Sequence, residues 1–456
     1  MSDINIDKQR KLLPIVAAIA FFMASLDTTS VNTIIPYLSG VFHAPLAVTK
    51  NIIIYYMIAN AIFIPLTGVL CQKYSCRIIF CIALCIFTLG SFLCGISHTL
   101  NQLLVARIIQ GIGGAMMLPV GRLAIIQTFP KKELVKALSL VTIPGLMGPL
   151  IGPIAGGMIA TYLDWSMIFL INVPFGLVGI YFALHYFPRQ SDKAVRIDRW
   201  GYIIFAAAIA LITYALSLYS ETQNYTPPTI IFCIGLCLLA LYWVRSLYHD
   251  YPLFSPTLFK IKSFSIGILG NLVARLGCGA VPFMIPLMLQ RLMGLSPVAC
   301  GVAMLPLAFA AMIAKPFVSH SIKFMGYRNF LFINTILLSA SYMSYCFVNE
   351  HSSWTFIAAL MFITGFINSM QFTAMNTSTV LDLSAKRQPA GSCLLSTVMQ
   401  VSMAAGVAVS AILLTLDEKI HLHAVPATHF HYTWFYLGCI TVISAFIFMF
   451  MPNKRV

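Results

Sequence analysis

Apolar residues in this chain come in runs of about twenty or more, broken by short polar stretches, from one end of the sequence to the other. A helix of that length crosses the ~30 Å hydrocarbon layer of a bilayer. In lipid, only helices and closed barrels satisfy every backbone N–H and C=O, and barrel strands are short and alternate in polarity. These runs are long and continuous, so the chain is expected to be an all-α membrane protein. Fourteen spans can be drawn, at about 12–38, 48–70, 78–96, 102–128, 136–160, 166–187, 200–219, 229–247, 264–290, 298–319, 330–348, 354–381, 389–415 and 432–452. A composition of 59% hydrophobic and 9% charged residues lies far outside soluble proportions. Lys8, Arg10 and Lys11 imitate the start of a secretory signal, but the run behind them continues to Leu38 and is expected to stay as a helix.

A net charge of +15 would suggest nucleic acid if its position were ignored. Its position argues for a membrane and against nucleic acid. With the N-terminus in the cytoplasm, the inner segments carry Lys8, Arg10, Lys11, Lys73, Arg77, Lys131, Lys132, Lys136, Arg189, Lys193, Arg196, Arg199, Arg245, Lys260, Lys262, Lys323, Arg328, Lys386, Arg387, Lys454 and Arg455. The outer segments carry Lys50, Arg291 and Lys419. This is the positive-inside distribution, and one miscounted span would reverse every later loop. It places both termini in the cytoplasm. The basic loops Pro188–Arg199 and Arg245–Lys262 bracket spans seven and eight. The expected layout is therefore six helices in 1–187, a two-helix insertion in 188–262 and six helices in 263–456. A 6+2+6 arrangement with parallel halves places the substrate site near the bilayer midplane. Span two ends Gly68–Arg77 and span ten ends Ser319–Arg328, with Ser75 and Gly326 at the same offset from the basic residue.

Other chemistries find little support. The twelve Cys fall mostly in apolar runs and read as small core residues. No Gly-Lys-Ser/Thr phosphate cradle is present, which argues against direct ATP drive, and no nucleophile–base set suggests an enzyme. His421, His423, His429 and His431 crowd one outer loop and are read as solvated rather than metal-binding. No cofactor or metal is expected.

Asp27 lies deep within the first run. A carboxylate in hydrocarbon costs at least ~2.5 kcal/mol, so it points to function, the alternative being an acid neutralised by a neighbour and kept for packing. It is about 16 Å below the outer end of its span, and Arg107 is about 8 Å below the outer end of span four. Both lie in the outer half, where a long Arg side chain can bridge them. Pairing favours the carboxylate, whereas burial alone favours the neutral acid, so a site that switches between the two can load and release a proton. Lys315 is placed to snorkel to the inner surface, and Arg122, about two turns from the same side, either snorkels or has a functional role. Arg275 is near the midplane with no deep acid in its own half. It is expected to face a wet cavity, bind an anion, or bond neighbouring carbonyls.

In span five Gly148, Gly152 and Gly156 recur every fourth residue and form a bare stripe for close helix packing, with Gly145 and Gly157 beside it. Pro149 and Pro153 remove two helical hydrogen bonds and permit a bend. Asn368, Gln371, Met375 and Ser378 share helical spacing in span twelve, as do Ser392, Ser396, Gln400 and Met403 in span thirteen. They read as cavity lining or as interhelical glue.

Several of these stretches resemble motifs of the major facilitator superfamily. Gly145–Gly157 resembles the antiporter signature of its drug exporters. Leu103–Ala115 resembles the motif whose intramembrane Arg is implicated in proton coupling. Gly68–Arg77 resembles the cytoplasmic gate motif, with Gln72 for the usual Asp and Ser75 and Cys76 for the usual Gly and Arg. Ser25–Pro36, which includes Asn32, resembles the first-helix motif of the fourteen-helix drug:proton antiporters, and Trp165–Pro174 the start of their sixth helix. The likeness covers nearly the whole chain and extends, at Gly113–Arg122 and Phe264–Arg275, to multidrug-resistance members of enteric bacteria. It implies a monomeric major-facilitator-type fold in the bacterial inner membrane that exports small molecules by proton antiport. In that reading Asp27 and Arg107 couple the proton. Gly145, Gly148, Pro149, Gly152, Pro153, Gly156, Gly157, Arg77 and Arg328 shape the gates. Asn32, Arg275, Asn368, Gln371, Met375, Ser396 and Gln400 touch substrate. Three readings stay open beside it: an exporter of one anionic metabolite or chelator, suggested by the excess of buried basic residues, a proton-coupled importer, and a membrane sensor or scaffold.

Overall fold

The computed structural model describes residues 3–188, 198–384, 387–421 and 425–453, together with the side chains of most of them. Arg189, Lys193, Arg196, Lys386, His423, Lys454 and Arg455 lie outside this set, as do the side chains of Lys8, Gln72, Lys131, Lys132 and Lys136. Sixteen α-helices are found among the described residues. They are α1 Asp3–Val41, α2 Leu46–Thr49, α3 Asn51–Tyr74, α4 Cys76–Gly95, α5 Leu100–Thr128, α6 Lys131–Tyr162, α7 Met167–Leu170 and α8 Asn172–Tyr186. After these come α9 Arg199–Leu218, α10 Thr226–Tyr248, α11 Lys262–Arg291, α12 Pro297–Ala303, α13 Leu305–Met343, α14 Trp354–Val380, α15 Gln388–Ile420 and α16 Pro426–Phe448. Twelve of the described helical segments are long and apolar enough to cross a membrane. One of them, Pro297–Phe347, has 51 residues and is broken at Gly326.

Local chemistry explains where helices begin. Thr99 and Gln102 form a reciprocal capping box at the start of α5, with Gln102 N–H donating to Thr99 Oγ1 and Thr99 N–H to Gln102 Oε1. Pro occupies the first turn of α10, α12, α15 and α16, where its missing N–H costs nothing.

The chain divides into two compact units. One comprises residues 1–44 and 51–197, the other residues 45–50 and 198–456. In the first, α1 packs on α6 and α8, α5 on α3 and α4, and α4 on α8. Leu13, Phe80, Phe87, Met117, Val120 and Phe187 are among its buried core. In the second, α11 packs on α15 and α16, and α13 on α14 and α16, with Leu331, Ala374, Met375 and Phe448 in its core. The packing of α11 on α15 and α16, and of α13 on α14 and α16, mirrors that of α1 on α6 and α8, and of α4 on α5 and α8, as internal repeats would.

The repeat is sharpest at one backbone position. Ser75, between α3 and α4, has φ 79° and ψ 149°, and Gly326 has φ 75° and ψ 162°. Both turn the chain through a region that is essentially restricted to glycine and costs other residues about 1–3 kcal/mol. Ser75 carries that strain; Gly326 does not. Ser75→Gly is therefore expected to raise the unfolding free energy by roughly 1 kcal/mol after the added backbone entropy of glycine. A higher midpoint in thermal unfolding of the purified variant checks this, and an unchanged or lower one contradicts it.

In the second unit α9 and α10 form a pair joined by charge. Asp198 caps α9 by accepting from Gly201 N–H at 2.9 Å and pairs with Arg245 of α10 at 2.7 Å. Burial opposes the Asp198 charge, but Arg245 and the Gly201 amide outweigh it and hold the carboxyl below the usual range. Lys50 is fully buried against α9, donating to Ser217 Oγ at 3.2 Å and pairing with Glu221 at 3.3 Å.

Candidate functional site

The glycine stripe of α6 lies against α1. A Cβ on Gly145, Gly148 or Gly152 would strike Phe21, Ser25 or Thr29, and one on Gly156 would come within 2.7 Å of the Ser30 carbonyl. Hydroxyls of α1 use this closeness: Ser25 donates to Gly145 O at 2.8 Å, Thr29 to Gly148 O at 3.0 Å and Ser30 to Gly152 O at 2.9 Å. Gly145 lies four residues before Pro149, whose missing N–H leaves the Gly145 carbonyl free to accept from Ser25. Gly157 and Pro153 are buried and Pro149 is exposed. These contacts fix the height and rotation of the segment of α1 that carries Asp27.

Asp27 is 1% exposed and Arg107 of α5 is also 1% exposed. They pair, Nη1 to Oδ2, at 2.6 Å. Arg107 is held by three further groups: its Nη1 also donates to Gln110 Oε1 at 2.5 Å, its Nε to Ile52 O at 3.1 Å, and its guanidinium carbon lies 4.3 Å from the Tyr56 ring centroid. The other carboxylate oxygen accepts from Gln110 Nε2 at 2.9 Å and from Asn172 Nδ2 of α8 at 3.4 Å. Gln110 Nε2 also reaches Ser91 Oγ of α4 at 2.8 Å. Five helices thus meet in one cluster, with α5 and α8 bonding to the α1 carboxylate and α3 and α4 holding its partners. A buried ion pair of this kind is weak as a source of stability, yet removing one partner strands the other in a dry interior. Among the described residues, the carboxylate's charged partner is the Arg107 guanidinium, on a different helix.

Gln110, Asn172, Ser91 and Tyr56 were not among the residues expected from sequence. Gln110 had a usable signal, since it lies three residues after Arg107 on the same helical face, and Asn172 falls inside the quoted sixth-helix stretch. Ser91 and Tyr56 had none. Asn32 is buried on α1 but lies about 140° round the helix from Asp27.

The two gate arginines differ. Arg77 is buried at the start of α4 and donates to Phe187 O at 2.9 Å and His185 O at 3.2 Å, so it ties α4 to the carbonyl end of α8. Arg328 is exposed and reaches Asn329 Oδ1 at 3.5 Å. Arg122 and Lys315 are exposed.

In the second unit, Gln371 is fully buried and turned toward α13, accepting from Asn334 at 2.8 Å and donating to Thr335 at 2.8 Å. Met375 lies in the core beside it. Ser396 bonds back to Ser392 O at 2.9 Å, and Gln400 and Asn368 are half-buried. Arg275 of α11 is fully buried. It donates through Nε to Asn271 at 3.0 Å and through Nη2 to Asn376 of α14 at 2.9 Å, with its guanidinium carbon 4.0 Å from the Phe372 ring centroid. At the end of α15, His421 and His429 flank Asp417 at 2.8 and 2.6 Å. Among the described residues no group of His, Cys, Asp and Glu is arranged to hold a metal ion.

Residues 17–251 and 267–456 match the Major Facilitator Superfamily. The chain is 37% identical over 444 residues to "Putative multidrug resistance protein MdtD" of Escherichia coli O139:H28, covering 96% of this chain and 94% of that one. MdtD of Shigella boydii serotype 18 gives the same identity and coverage. Among solved structures, a D-xylose–proton symporter superposes with a TM-score of 0.70 at 14% identity, covering 97% of this chain and 99% of that one. A variant of the nucleoside transporter NupG superposes at 0.69 and 13% identity, over 97% of this chain and all of that one. These likenesses to solved structures bear on the fold alone.

Proposed function

The chain belongs to the major facilitator superfamily, and on that footing we propose that it is a proton-coupled antiporter that exports small molecules by alternating access. The superfamily consists of carriers, so this is a multi-pass membrane transporter and not an enzyme. The observation that carries proton coupling is the buried Asp27–Arg107 pair, set among Gln110 and Asn172. While Arg107 faces Asp27, the two groups lie within hydrogen-bond distance of each other. When the helices shift and the pair parts, a dry carboxyl favours the neutral acid and takes up a proton. Four helices besides α1 contribute to the cluster, so helix movement and protonation are linked. The proton gradient is the energy source and no cofactor takes part. The names of the MdtD relatives favour drugs or other amphipathic compounds as cargo.

We take the chain to cross the inner membrane fourteen times, as 6+2+6 over 1–187, 188–262 and 263–456. The twelve long apolar segments support this when Pro297–Phe347 is counted twice at Gly326 and the 32-residue α6 is added. At ~1.5 Å per residue the 51-residue segment would reach about 76 Å as one rod, twice a bilayer. Positive-inside loops support cytoplasmic termini, and the protein is proposed to act as a monomer.

Inside-out vesicles test the reading. With the lumen acidified, vesicles containing the protein are expected to accumulate at least one of ethidium and a panel of amphipathic anions and neutral compounds against its gradient, and a protonophore is expected to abolish this. Proton-independent flux, or none for ethidium and for a panel of amphipathic anions and neutral compounds, would overturn it. Outward loss of preloaded solute on lumen acidification would mark an importer.

A further inference from the structure

Two basic side chains of the second unit, Lys50 and Arg275, are 0% exposed among its described residues. Lys50 faces an acid, Glu221. Arg275 does not: its side-chain hydrogen-bond partners are neutral amide oxygens, Asn271 Oδ1 and Asn376 Oδ1. None of the ion pairs among the described residues includes it. Its Nη1 is buried without a hydrogen-bond partner. A full positive charge with unspent N–H groups in a dry interior is costly, and a guanidinium cannot relieve the cost by losing its proton.

The surroundings hold the guanidinium in a fixed orientation. Asn271 is fixed by donating its own amide to Gly267 O at 2.9 Å and Thr379 Oγ1 at 3.2 Å, so its oxygen stays turned to Arg275. Phe372 covers one face of the guanidinium. Asn368, Phe372 and Asn376 repeat every fourth residue and so share one face of α14. Near this seat α11 and α15 approach closely, since a Cβ on Gly406 would lie 2.9 Å from Arg275 O. The seat is therefore built across α11 and α14 and fixed beside α15.

We propose that Arg275 is the anion-binding residue of the substrate site, and that the cargo carries an oxyanion, such as a carboxylate, sulfonate or phosphate, which accepts from Nη1. This rests on the transporter reading above and narrows its substrate class from amphipathic compounds in general to organic anions. Guanidinium N–H groups suit planar, two-oxygen acceptors, and such charge-assisted bonds are about twice as strong as neutral ones.

Equilibrium thermal shift on purified protein in lipid nanodiscs, with no proton gradient, tests it. The probes are benzoate, succinate, naphthalene sulfonate, inorganic phosphate, chloride and the cation tetraphenylphosphonium. At least one organic anion is expected to raise the midpoint in a saturable way. Its apparent affinity is expected to fall roughly tenfold or more in Arg275→Gln and less in Arg275→Lys. Arg275→Met is expected to unfold at the same or a higher temperature without ligand, because an unpaired buried charge has been removed. A residue serving only as a structural anchor would lose stability in that variant. The proposal is overturned if no organic anion stabilises the protein, if Arg275→Gln binds them equally well, or if phosphate and chloride alone act through Arg275, which would make it a counter-ion site. Failure of the transport reading looks different: anions then bind through Arg275 while the vesicles show no gradient-driven flux.

Discussion

Asp27→Asn is expected to reduce gradient-driven accumulation in inside-out vesicles to the level of vesicles without the protein. A potential of 100 mV and one pH unit supply about 3.7 kcal/mol per proton exchanged. For a neutral solute this supports a concentration ratio of about 500. Without a proton-binding carboxyl the ratio falls to about 1. The structure complicates a single substitution, because a neutral amide in place of the carboxylate would leave Arg107 buried without a counter-charge, at a cost of about 3–5 kcal/mol. The double variant Asp27→Asn with Arg107→Gln removes both charges and is expected to recover most of that stability while accumulation stays at background. Arg107→Gln alone strands the carboxyl without its partner and is expected to lose stability as well. If the double variant regained both stability and uphill flux, the pair would be a packing device.

The second large effect is expected at Gly156. Gly156→Ala puts a methyl 2.7 Å from Ser30 O and 2.9 Å from Ser30 Cα. Both are backbone atoms, so no rotamer change relieves the clash and α1 and α6 must separate. Overpacking of this kind costs roughly 1–3 kcal/mol. Separation also breaks the Ser30 to Gly152 hydrogen bond and displaces the turn of α1 next to Asp27, so flux is expected to be lost with stability. Gly152→Ala meets the Thr29 side chain first, and Thr29→Ala is expected to relieve it in part, removing the Oγ1 contact while Cβ stays 2.8 Å from the new methyl. No side-chain truncation on α1 should rescue Gly156→Ala. Measuring flux and thermal midpoint for these variants separates backbone contact from side-chain contact. A harmless Gly156→Ala would show that close packing of α1 on α6 is not required.

Periodicity and charge were enough to make Asp27, Arg107 and the α6 stripe legible in advance, because each breaks a rule of the bilayer: an acid in hydrocarbon, a base beside it, and glycine where bulk is normally favoured. The equivalence of Ser75 and Gly326 was also visible, as a matched offset before a basic residue. Their shared positive φ was not, since nothing in a serine announces the conformation it is forced to adopt. Gln371 shows the opposite difficulty. Helical spacing put it on a polar stripe, but spacing cannot tell a cavity from a neighbouring helix, and its amide is spent on Asn334 and Thr335. Ser91 and Asn172 were hidden because a small polar residue in an apolar run acquires meaning only from what faces it. Asp417 lay at the end of a span among histidines, where a solvated reading is natural. It is nevertheless 5% exposed and bonded to two of them.

Infrared difference spectroscopy of the protein in nanodiscs between alkaline and acidic pH is the most direct measurement. If Asp27 is the proton site, the parent protein gains a protonated-carboxyl C=O band on acidification that is missing from Asp27→Asn. A band of equal size in Asp27→Asn would contradict the proposed role, because the proton would then reside on another carboxyl.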